Sequence, residues 1–81
     1  MKVRVLFFSV LRDITSIQEA EIILPAGATV ATLLEQLFAQ WPALRAWDES
    51  LLVAVDQTYA RRADPLHEGA EAAVMPPVQG G

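Results

Sequence analysis

The chain has 81 residues, six basic and ten acidic side chains, a net charge of −4 and no cysteine. That length makes one small domain, which buries only about 60% of its unfolded surface and needs an efficient core. The missing cysteine excludes a disulfide framework and thiol catalysis, and the scattered Lys and Arg argue against a nucleic-acid partner, which calls for a basic patch. A mildly acidic chain is instead suited to a basic protein partner. The opening Met1–Phe8 starts like a signal peptide, but Ser9, Arg12 and Asp13 break the apolar run early, and no stretch approaches a membrane span. These features point to a soluble, cytoplasmic protein with no membrane partner.

The first element is a strand, with Val3, Val5 and Phe7 alternating against Lys2, Arg4, Leu6 and Phe8. Residues 19–24 read as a second strand, closed by Pro25-Ala26-Gly27. The period then changes. Val30, Leu33, Leu34, Leu37 and Phe38 lie on one face of a helix, with Thr29 as N-cap and Pro42 as the stop. Residues 42–50 form an ambiguous connection with room for one helical turn. Leu51 to Val55 is apolar throughout, the pattern of a strand covered on both faces. Asp56-Gln57 turns the chain into a short strand over 58–61, and Asp64-Pro65 and Glu68-Gly69 are further turns. Glu71 to Met75 is the last strand, ended by Pro76.

The order ββαβββ, with the fourth strand weak, predicts an α+β domain: a mixed sheet of four to five strands covered by one main helix. That order fits the β-grasp, ubiquitin-like arrangement. The domain is expected over residues 1–75, with residues 76–81 as an extended tail. If Val3, Val5 and Phe7 face the helix, Leu6 and Phe8 face away, with Met75 outward on the last strand. These three are the expected partner surface, an apolar patch beside the tail root.

Side-chain chemistry is thin. His67, the single histidine, sits in a turn with no second metal ligand at suitable spacing. Asp13, Asp56 and Asp64 read as caps or turn formers, Glu19 and Glu21 as a solvated strand face, and Arg61-Arg62 as a solvated edge. Trp41 and Trp47 read as core anchors, and no glycine-rich phosphate loop appears. No metal site is expected. The chemistry falls instead to the ending, Pro76-Pro77-Val78-Gln79-Gly80-Gly81. The prolines favour an extended polyproline II segment, and the two glycines leave a bare tip able to thread a narrow channel. The group such a tip delivers is the carboxylate of Gly81.

From end to end the chain resembles the small, sulfur-carrying subunits of molybdopterin synthase. The likeness lies in Val3-Arg4-Val5-Leu6-Phe7-Phe8 with Leu11-Arg12-Asp13, and in Leu52-Val53-Ala54-Val55-Asp56-Gln57. It continues in Asp64-Pro65-Leu66 with Gly69, and in the specific Pro-Pro-Val-x-Gly-Gly ending. Gly69-Ala70-Glu71 departs from the family's usual Gly-Asp-Glu, and Met75 stands where an aromatic is common.

The resemblance implies a mechanism. An E1-like adenylyltransferase uses ATP to adenylate the Gly81 carboxylate. A sulfur donor protein then displaces AMP, leaving a thiocarboxylate. The tail, Pro76 to Gly80, threads into a large catalytic subunit in a heterotetramer of two small and two large subunits. There the sulfur passes to precursor Z (cyclic pyranopterin monophosphate). The small subunit is not catalytic alone and binds no permanent cofactor. Other readings stay open: a carrier for thiamin, cysteine or tRNA thiolation, a ubiquitin-like protein modifier, or an interaction module with an inert tail.

Overall fold

The computed structural model describes residues 1–77. Its elements are β1 (Lys2–Phe7), α1 (Val10–Thr15), β2 (Glu19–Ile23), α2 (Val30–Gln40), a 3-10 helix (Pro42–Ser50), β3 (Leu52–Val55), β4 (Thr58–Ala60) and β5 (Glu71–Met75). The five strands form one sheet in the order β2-β1-β5-β3-β4. β1 and β5 run parallel, and the other neighbours run antiparallel. This is the β-grasp arrangement, with the first and last strands adjacent and β5 at the centre.

One face of the sheet makes the core. Val3, Val5 and Phe7 of β1, Ala72 and Val74 of β5, and Val53 of β3 are all buried. They join the buried α2 face of Val30, Leu33, Leu34, Leu37 and Phe38 in a single apolar cluster. Thr29 caps α2 as its sequence predicts. Its hydroxyl accepts from Thr32 N–H at 3.3 Å, and its own N–H donates to the Thr32 hydroxyl at 3.2 Å. The next two N–H groups donate outward, Val30 to the Asp64 carbonyl and Ala31 to the Arg62 carbonyl. The loop before β5 thus satisfies the first turn of α2, which would otherwise leave these donors orphaned.

Three features differ from the sequence reading. α1 was not expected. At six residues it is too short to show a helical period and would not form alone, but Leu11 is fully buried and supplies the packing that holds it. The connection after α2 is a nine-residue 3-10 helix rather than one turn. It is held by buried Leu44 and by the Arg45 guanidinium 5.0 Å from the centre of the Phe38 ring. The third correction concerns β3. Its register pairs Leu52 with Met75 and Ala54 with Ala73, opposite the core face that holds Val53 and Val74. Leu52 and Ala54 are only half-buried. The continuous apolar run therefore does not mark a strand packed on both sides.

Candidate functional site

Pairing sets the outer face of the sheet in rows. The Leu6 row runs through Ala73 and Ala54 to Tyr59. The next row lies closer to the tail root. Phe8 continues the β1 register by one residue, its N–H donating to the Val74 carbonyl at 3.3 Å, and so stands beside Met75, which pairs with Leu52. Phe8 is 45% exposed and Tyr59 is 70% exposed, large values for aromatic rings. Leu6, Leu52 and Met75 are half-buried. Two apolar rows thus lie open where the chain leaves β5.

The opposite end of the same face is charged. Arg4 pairs with Glu71 and lies 3.8 Å from Glu19, while Lys2 lies 3.7 Å from Glu21. The hydrogen bond and charge of Glu71 raise the Arg4 pKa. Below this lattice, His67 Nε2 meets Asp56 Oδ2 at 2.5 Å and His67 Nδ1 meets the Glu68 carbonyl at 2.9 Å. The second Asp56 oxygen accepts from Glu71 N–H at 3.1 Å. The hydrogen bond from His67 lowers the Asp56 pKa, and the same bond raises that of His67. Both side chains of this clasp face solvent, and it ties the loop before β5 to the β3–β4 turn. No group of three or more His, Asp or Glu among the described residues is placed to hold a metal ion.

The remaining candidates have structural roles. Trp41 stacks edge-on against Phe7, with ring centres 5.3 Å apart, and Trp47 packs against the core. Arg62 reaches Asp48 at 2.5 Å, and Asp64 Oδ2 accepts from Arg61 N–H. Glu19 and Glu21, read from sequence as merely solvated, are ion-pair partners of β1.

The fold brings Leu6, Phe8 and Met75 to one face at the tail root. Pro76 and Pro77 follow directly and are half-buried. Val78, Gln79, Gly80 and Gly81 lie outside the described residues. Sequence reasoning missed Leu52, Ala54 and Tyr59. Their signal is weak because it exists only once β3 and β4 are placed in register with β5.

The fold is that of the ubiquitin-like β-grasp proteins, with an open apolar patch at the root of the tail. The chain belongs to the ThiS family, whose model matches residues 5–81. A molybdopterin synthase sulfur carrier subunit from Chlamydomonas reinhardtii is 35% identical, with all of both chains covered. A structure described as molybdopterin converting factor subunit 1 from Pyrococcus furiosus superposes with a TM-score of 0.88 at 30% identity, covering 96% of this chain and 99% of that one. SAMP1 from Haloferax volcanii superposes with a TM-score of 0.87 at 25% identity, with both chains fully covered.

Proposed function

We propose that this protein is the sulfur carrier subunit of a molybdopterin synthase, working in the cytoplasm. The observation that carries this reading is the end-to-end match, 35% identical over the full length of a relative of that name. The Pro-Pro-Val-x-Gly-Gly ending supports it.

In this reading residues 1–75 are the domain and residues 76–81 the working tail. The Gly81 carboxylate attacks the α-phosphorus of ATP on an E1-like adenylyltransferase and releases pyrophosphate. A carboxylate is a poor electrophile, and the acyl adenylate supplies AMP as a leaving group. A donor protein delivers sulfur at the oxidation level of sulfide, AMP leaves, and a thiocarboxylate remains. The soft sulfur then attacks precursor Z inside the large subunit, and water cleaves the resulting acyl–sulfur bond to regenerate the Gly81 carboxylate. Delivery on a positioned tail replaces dilute sulfide with a high local concentration. Leu6, Phe8 and Met75, joined by Leu52 and Tyr59, form the docking surface for the large subunit, with two carriers on a dimer of large subunits. The carrier holds no resident cofactor. ATP belongs to the activating step.

A second reading, attachment to lysines of other proteins, draws support from the likeness to SAMP1. Both begin with the same adenylate. The intact mass of the protein recovered from cells separates them. One sulfur in place of one oxygen is expected, together with conversion of precursor Z when the thiocarboxylated protein is mixed with the large subunit. A covalent adduct to other proteins, with no sulfur gain, would overturn the carrier reading.

A further inference from the structure

We infer that the docking face carries a charged anchor beside its apolar rows: Arg12 takes a carboxylate of the large catalytic subunit, at a depression sized for one partner side chain. This inference rests on the functional reading above and deepens it.

The depression lies where β1, α1 and β2 meet. It holds about 140 Å³ and is lined by Leu6, Phe7, Phe8, Arg12, Gln18 and Glu19. Leu6 and Phe8 belong to the apolar rows, so the depression continues that surface rather than forming a separate site. Its charges are unequal. Glu19 is engaged by Arg4 at 3.8 Å. Lys2, Arg45 and Arg62 also have acidic partners, Glu21, Glu35 and Asp48. Arg12 has none among the described residues, and it is exposed. Arg61 is also without an ion-pair partner among them, but it follows β4, at the edge of the sheet opposite β2, and does not line the depression.

The Gln18 carbonyl accepts from Phe7 N–H at 2.8 Å, but its side-chain amide has no partner among the described residues. The lining therefore offers the apolar side chains of Leu6 and Phe8, an amide able to meet a main chain, and an unpaired guanidinium. A segment with one apolar side chain next to an Asp or Glu matches all three. Guanidinium and carboxylate pair through two parallel hydrogen bonds, which fixes orientation as well as adding energy. In a carrier of net charge −4, an unpaired cation beside the Leu6 and Phe8 rows sets register against a partner that is otherwise complementary to acid.

The test is the affinity of the purified carrier for the purified large subunit, at low and high salt. Arg12→Ala should bind about tenfold more weakly and Arg12→Glu about a hundredfold, as expected for loss and reversal of a charge pair at an interface. Arg12→Lys should recover part of the loss, since the charge remains without the fork. The wild type should lose more affinity to salt than Arg12→Ala does. Gln36→Glu makes the same change in net charge as Arg12→Ala on the exposed side of α2, across the sheet from the docking face, and should bind like the wild type. Melting temperatures should be unchanged throughout. Changing the large subunit's opposing carboxylate to Arg should restore binding of Arg12→Glu. Wild-type affinity in Arg12→Ala and Arg12→Glu, or a loss in Gln36→Glu equal to that in Arg12→Ala, would overturn the inference and leave the carrier reading standing. No binding by the wild type would remove both.

Discussion

The two ends of the outer sheet face are built from the same strands and finish differently. At the end holding Lys2, Arg4 and Glu71, cations and carboxylates alternate across β2, β1 and β5 and satisfy one another. At the end holding Phe8, Met75 and Leu52, apolar side chains stand open beside the tail root. The charged end keeps the face soluble and offers a partner little, because exposed ion pairs are worth roughly 0–1 kcal/mol and are already made. The apolar end has its binding energy unspent. One sheet can therefore satisfy its charges at one end and leave an apolar surface open at the other, beside the root of the tail.

The largest expected effect breaks the link between docking and chemistry. Deleting Gly81, or extending the chain by one residue, should abolish sulfur transfer. Gly80→Val should impair adenylation, sulfur transfer or both more severely than Gly80→Ala, because a side chain obstructs threading and restricts φ. Stability should stay within about 0.5 kcal/mol of wild type, as at a surface site. Every core residue among those described lies at or before Val74. A truncated protein that still converted precursor Z, or Gly80 variants with wild-type rates in both steps, would place the chemistry elsewhere.

The next effect separates neighbours on β1. Phe7 is 2% exposed and packs against Trp41, so Phe7→Ala should cost about 3–5 kcal/mol of fold stability as a core cavity. Phe8→Asp or Met75→Asp should instead weaken the complex by about 2 kcal/mol or more, the scale of an interface anchor. Their effect on unfolding should be far smaller. Arg4→Ala at the charged end should leave binding nearly unchanged. Denaturant melts and titration against the large subunit give both numbers. Unfolding by Phe7 and Phe8 substitutions alike, with no selective loss of binding, would erase the distinction between the faces.

How much of this was legible in the sequence depended on whether a signal is local. The alternation of Val3, Val5 and Phe7 and the α2 stripe repeat at fixed short periods, so strand, helix and core face could be read directly. Leu6, Phe8 and Met75 followed from the same alternation. Leu52 and Ala54 did not, because an apolar run has no alternation to reveal that one side stays open. α1 escaped because six residues held by one buried leucine carry no period. The ion-pair lattice escaped because its partners are distant in sequence.

A smaller change sharpens the comparison at the charged end. The β3–β4 hairpin turns there through Asp56 and Gln57, at φ 50° and 71°. A two-residue turn with both φ values positive favours glycine at its second position. Gln57→Gly should therefore raise stability by about 0.5 kcal/mol, the relief of the left-handed conformation less glycine's added freedom when unfolded. Binding to the large subunit should not change. A loss of stability would show that the Gln57 side chain contributes more than its backbone costs.

The smallest effect should come from the clasp between His67 and Asp56, since both groups face solvent and screening weakens their attraction. Its direction is nevertheless fixed. The folded pKa of His67 lies above its ordinary value of 6.5, mainly through the hydrogen bond to Asp56. Its contribution to stability is therefore full below about 6.5 and fades as pH rises through the higher folded value. Asp56 is held below its ordinary value of 3.8, so its contribution is full above that and fades as pH falls toward the lower folded value. Between about 4 and 6.5 both are present. The wild type should lose a little thermal stability as pH climbs from 6.5, and His67→Gln should show a flatter profile there. Below pH 4 the same variant should also lose less, because Asp56 no longer has its charged partner, although Glu71 N–H still bonds the carboxylate. Docking should be insensitive to the substitution, because the clasp lies at the far end of the sheet from Phe8 and Met75. Equal slopes above pH 6.5 in wild type and His67→Gln would mean that the pair adds nothing to the folded state. A selective loss of binding would mean that the partner reaches past the apolar rows onto the charged end.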